Sequence, residues 1–194
     1  MKIGVLAVQG AFIEHEHIIE KIGHEVVEIR QRKDLDGIDG IILPGGESTV
    51  QGQLLRKLDM LATIKSLIAD GLPTLATCAG LILLAGHIDN DDSVHIGTLP
   101  VTVKRNAYGR QLGSFVRTAP MKGFDEFPMI FIRAPYISSI KDNVDVLAAV
   151  NDRIVAVQYN NQIGLAFHPE LSGDTRIHAV SYTHLRAHET GAYL

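Results

Sequence analysis

The sequence predicts an α/β fold in three layers: a mostly parallel sheet flanked by helices, with an antiparallel extension. Three observations point there. In the first half, short apolar runs alternate with segments of helical period. Those runs are apolar throughout, as strands covered on both faces are. In the second half, strands follow one another through Asn-containing junctions, and Asn tolerates the positive φ of tight hairpins.

The elements follow in order. Ile3–Val8 is a first strand, ended by Gly10, and Phe12, Ile18, Ile19 and Ile22 mark a helix that stops at Gly23. Val26–Ile29 is β-branched; Gly40–Leu43 is a further apolar run, closed by Pro44-Gly45-Gly46. Val50, Leu54, Leu58, Leu61, Ile64, Leu67 and Ile68 recur mostly at spacings of three and four. They predict one longer helix, with Ser48 and Gln51 as its capping box. Pro73–Thr77 is a fourth strand, and Cys78 joins it to a helix through Leu81–Leu84. Val101–Lys104, Ser114–Thr118 and Met129–Arg133 are short strands. Val146–Val150, Ile154–Tyr159 and Ile163–Phe167 follow, joined by Asn151-Asp152 and Asn160-Asn161. Gly173–His178 opens a terminal helix. Residues 1–180 read as a single domain, whereas 181–194 lose periodicity and are expected to be an atypical tail: a cloning or sequencing scar, or a frayed end.

Composition narrows the classes. The chain has 194 residues, 46% hydrophobic and 21% charged, which excludes a disordered or collagen-like protein. Its net charge is −4, so no basic surplus is available to neutralise nucleic-acid phosphates or an anionic membrane. The lone cysteine, Cys78, cannot form an internal disulfide. The longest stretch without charge or histidine, residues 71–86, falls short of the ~20 residues that cross a bilayer. The apolar start is too short for a secretory segment. A cytoplasmic protein is expected.

Three segments can carry chemistry. Leu75-Ala76-Thr77-Cys78-Ala79-Gly80 places a nucleophile between a strand and a helix, flanked by small residues, in the form of a nucleophile elbow. Taken alone, Cys78 could equally be a buried small hydrophobe. In Ala166-Phe167-His168-Pro169-Glu170, continued strand geometry would put His168 and Glu170 on one side. A base and the carboxylate that orients it need that arrangement, although a solvated turn would also have this pattern. Leu43-Pro44-Gly45-Gly46-Glu47-Ser48-Thr49 lies between a strand and a helix N-terminus, where backbone N–H groups can face an anion. It lacks the Gly-Lys-Ser/Thr of a phosphate loop and could supply an oxyanion-hole donor or be a plain turn. His15-Glu16-His17 lacks the spacing of a helical zinc pair and is expected on a solvated face; Asp89–Asp92 reads as a solvated turn. Arg105, Arg110 and Arg133 read individually as surface ion-pair formers.

Leu-Pro-Gly-Gly-Glu-Ser, Thr-Cys-Ala-Gly-Leu and Phe-His-Pro-Glu-Leu, in that order, resemble a class I glutamine amidotransferase, a flavodoxin-like fold. Within the class, three further segments resemble the glutaminase subunits of pyridoxal 5′-phosphate synthase: Gly4–Gly10, Arg105–Gln111 and Phe131–Pro135. The likeness covers about residues 1–180. It implies a glutaminase in which Cys78 attacks the side-chain amide of L-glutamine, His168 moves the proton and Glu170 holds the imidazole. It implies backbone N–H groups of Gly46 and Ala79 as the oxyanion hole, and Gly46, Glu47, Ser48, Arg105, Ile132 and Arg133 around the substrate. It also implies delivery of ammonia to a (β/α)8-barrel synthase subunit in a hetero-oligomer. No metal or cofactor is implied, since pyridoxal phosphate is the product of such a complex. A glutaminase of another pathway, such as imidazole glycerol phosphate synthesis, and a partner-binding module without turnover are the alternatives.

Overall fold

The computed structural model describes residues 1–106, 108 and 113–182. The chain begins β1 (Lys2–Leu6), α1 (Phe12–Lys21), β2 (Glu25–Ile29), β3 (Gly40–Leu43), α2 (Ser48–Lys57), α3 (Leu61–Ala69), β4 (Thr74–Thr77) and α4 (Ala79–Leu84). It continues as β5 (Ala85–Ile88), β6 (Leu99–Lys104), β7 (Ser114–Met121), β8 (Phe124–Ile132), β9 (Tyr136–Ile140), β10 (Asp145–Val150), β11 (Arg153–Tyr159) and β12 (Gln162–Leu165).

The main sheet has the order β2-β1-β3-β4-β12-β11-β9-β6-β5, with β10 paired to β11; β7 and β8 form a separate two-stranded sheet. From β2 to β12 every pairing is parallel. β12, β11, β10, β9 and β6 pair antiparallel, so the extension expected from the second half is present. The path moves from β1 to β2 in one direction and from β3 to β4 in the other, so right-handed crossovers put α1 and the α2–α3 pair on opposite faces. All residues of β3, β4 and β12 are consequently buried. Asn151 and Asp152 take φ of 51° and 60° between β10 and β11, and Asn160 takes 49° between β11 and β12.

Several expectations need correction. The single long helix is two, because Asp59 adopts φ 54° and turns the chain between α2 and α3. The capping box is not formed: Glu47 caps α2 by accepting from Thr49 N–H, and the Gln51 side chain donates to the carbonyls of Gln9 and Pro44 instead. β5 and β9 were not anticipated. Near the C-terminus residues 176–182 are helical, and Ser181 and Tyr182 are buried. Arg110 and residues 183–194 lie outside the described residues.

Candidate active site

The parallel strands end together, and the chemistry-bearing segments leave from their carboxyl ends, where open α/β sheets bind ligands. Cys78 follows β4 at φ 49°, a left-handed conformation that a side-chain-bearing residue rarely adopts. That turn lifts the thiol out of the sheet at the head of α4. Gly80 is required beside it: a Cβ there would stand 2.0 Å from the Leu43 carbonyl, so only glycine lets α4 close on β3. The Cys78 Sγ lies 3.9 Å from the carbonyl oxygen of Ile132.

His168 and Glu170 meet, but not by strand alternation. β12 ends at Leu165, and Pro169–Leu171 forms a 3-10 turn that begins on proline's fixed φ. The turn folds the carboxylate back, so that Glu170 Oε1 stands 2.6 Å from His168 Nδ1. The opposite edge of the imidazole is then available to Cys78, which with His168 lines the same cleft. Burial disfavours a charged ring, but the interactions with Cys78 and Glu170 outweigh it and push His168 up to about 10. The His168 backbone N–H donates to the Ile130 carbonyl of β8, which fixes the segment from behind.

The glycine turn packs against the imidazole. A Cβ on Gly45 would come within 2.4 Å of His168 Cε1. Gln9 Oε1 accepts the Glu47 N–H at 2.9 Å, tying this turn to the end of β1.

These parts enclose a cleft of about 810 Å³. Gly46, Glu47, Ser48, Cys78, Ala79, Arg105, Ile132, Arg133 and His168 all line it, and Glu170 lies buried behind His168. Arg105 is tied to Asp91 at 3.3 Å and reaches Thr49 Oγ1 at 3.4 Å, while its Nε and Nη2 are buried without a partner among the described residues. Asp91 therefore braces a cleft residue and is more than part of a solvated turn. Gly45 and Thr49 of the glycine-rich segment and Asn106 beside Arg105 also line the cleft, as do Ala11, Val50 and Ile82, which the sequence does not mark as site residues. The expectation of a solvated His15 fails outright: it is fully buried, whereas His17 is exposed. The signal was available, since Phe12, His15, Ile19 and Ile22 form one helical stripe.

A match to the model of the SNO glutamine amidotransferase family runs over residues 5–185. The chain belongs to this family. Among relatives, "Pyridoxal 5'-phosphate synthase subunit PdxT" of Desulfitobacterium hafniense (strain DSM 10664 / DCB-2) is 59% identical over 92% of this chain and 90% of its own length. The protein of the same name from Streptococcus pneumoniae (strain ATCC 700669 / Spain 23F-1) is 51% identical over 92% and 94%. A crystal structure of a glutamine amidotransferase superposes with a TM-score of 0.91 at 37% identity, covering 94% of this chain and 98% of that one. PurLQS from Thermotoga maritima, at 19% identity and a TM-score of 0.70 over 94% and 97%, shares the fold. Among the described residues, no helix is long and apolar enough to cross a membrane.

Proposed function

We propose that this chain is the glutaminase subunit of a cytoplasmic pyridoxal 5′-phosphate synthase, with residues 1–180 as its single domain. It hydrolyses L-glutamine to L-glutamate and ammonia, and passes the ammonia to a (β/α)8-barrel synthase subunit in a hetero-oligomer. The observation that carries this reading is the pair Glu170–His168, hydrogen-bonded at 2.6 Å, with His168 and Cys78 opening into the same cleft.

Cys78 attacks the amide carbon of the glutamine side chain; His168, held up at about 10, keeps the proton it takes from the thiol and gives it to the departing ammonia. Glu170 keeps the imidazole in the tautomer and orientation both transfers need. The negative charge on the tetrahedral oxygen meets the backbone N–H groups of Gly46 and Ala79. Ala79 is the first residue of α4, so its N–H has no partner within the helix. Such donors are worth roughly 3–4 kcal/mol each in comparable enzymes. Water then cleaves the γ-glutamyl thioester. Arg105, a cation lining the cleft, suits the substrate's α-carboxylate, and Glu47, Ser48, Ile132 and Arg133 complete its surroundings.

The test is Cys78→Ala in complex with the synthase subunit. Glutamine hydrolysis should fall by at least about 10⁴-fold, as when a nucleophile is lost elsewhere. Synthesis from added ammonium should persist, because the second chemistry is the partner's. Glutaminase activity retained in Cys78→Ala would overturn the reading.

A further inference from the structure

Glu170 presents one carboxylate oxygen to His168. The other, Oε2, is buried and makes no hydrogen bond among the described residues. The polar group facing it is His15 Nε2, at 3.4 Å. His15 reaches there from α1, across the layer from the nucleophile's strand. Its Nε2 also stands 3.3 Å from Thr77 Oγ1, and its Nδ1 lies 2.9 Å from His178 Nε2. A fully buried imidazole on an otherwise apolar stripe is costly unless its polar atoms are used. The proton transfers assigned to Cys78 and His168 do not involve it.

We infer that His15 is a positioning residue for the triad: its Nε2–H holds the far oxygen of Glu170 and so fixes the plane of the carboxylate that orients His168. This rests on the glutaminase reading above. The tautomer follows from the neighbours. Burial first, then the nearby His178 and His168, hold His15 well below its ordinary value, so the ring is neutral and carries one N–H. With the proton on Nδ1, the Nε2 lone pair would face a carboxylate oxygen, two acceptors opposed in a low-dielectric site. With the proton on Nε2, the hydrogen is shared between Thr77 Oγ1 at 3.3 Å and Oε2 at 3.4 Å, and Nδ1 accepts from His178 Nε2–H. That leaves His178 Nδ1 as a bare acceptor, and among the described residues it is without a partner. The 3.4 Å separation exceeds that of a well-formed hydrogen bond. Catalytic contacts commonly tighten only with substrate in place.

The two amide substitutions of His15 separate positioning from filling. Gln places an N–H close to where Nε2 was; Asn places one close to Nδ1. In the complex with the synthase subunit, His15→Gln should keep kcat within about threefold of the unmodified protein. His15→Asn should lower it by about 10- to 50-fold, with KM within about twofold in both, as for residues that orient reacting groups. In a Glu170→Ala background, His15→Asn should cost no more than about twofold, because the group it acts through is gone. Equal rates for the two folded variants, or an undiminished Asn effect without Glu170, would sink the proposal. A measurement on the unsubstituted protein stands independently: 15N NMR of the imidazoles at neutral pH should find His15 neutral with the proton on Nε2, and an Nδ1–H tautomer overturns the assignment. Glutaminase activity surviving Cys78→Ala would instead reject the site reading itself.

Discussion

On one wall of the cleft, Cys78 and the glycine turn leave strands β3 and β4, every residue of which is buried. On the other, Ile132 and Arg133 close a two-stranded sheet whose strands expose residues along their length; Val116 is 67% exposed. The first wall is held by neighbouring parallel strands, by α4 and by backbone contacts with no room to yield, such as Gly80 against Leu43. The second is held by one buried face. Phe127, Met129 and Phe131 alternate inward along β8, and Phe131 stacks on Phe115 at 4.5 Å and meets Phe167 edge-on at 5.8 Å. The comparison teaches where precision is placed. The nucleophile stands on the over-determined wall together with Glu47 and Ser48, whereas Ile132 and Arg133, which only surround the substrate, stand on the less constrained one.

Four measurements can break or sharpen that division. The largest effect is expected at His168. His168→Asn should reduce kcat by about 10⁴-fold, and Glu170→Gln by at least about tenfold less, since one residue moves the proton and the other orients it. The reverse order in a glutaminase assay would exchange the assigned roles. The same pair reports on stability. His168 lies at about 10 in the fold against an ordinary 6.5, so its pairing stabilises fully below pH 6.5 and that contribution is lost as pH rises through 10. Urea unfolding at pH 7 and 9.5 should show a smaller decline in Glu170→Gln than in the unmodified protein.

Next comes Gly45→Ala. The added methyl would displace the imidazole it touches, and a misplacement of that size costs about 10²-fold in kcat. Unchanged turnover would mean that the rigid wall is less constrained than its contacts indicate. The smallest effect belongs to the hairpin. Phe115→Ala removes the ring stacked on Phe131, an interaction of roughly 1 kcal/mol. KM for glutamine should rise about three- to tenfold with kcat within about twofold. A fall in kcat like that of Gly45→Ala would erase the distinction between the walls.

Much of this was readable along the chain. β3 was bounded as observed, the strand–Cys–helix junction was evident from small residues around Cys78, and both Asn-containing junctions turned where positive φ is needed. These are local properties: an apolar run, a glycine and a turn residue act on their own neighbourhood. The split between α2 and α3 escaped because periodicity continues across Asp59, whose left-handed φ is not set by its neighbours in sequence. Gln51 has the spacing of a cap and is instead drawn to Gln9 and Pro44, which lie nearby only after β1 and β3 pair. His15 is the clearest case. Its place on the helical stripe was legible, but its meaning was not, because Glu170, Thr77 and His178 come from segments separated along the chain. A buried histidine takes its tautomer and charge from the groups packed around it, and those are brought together only when the layers close.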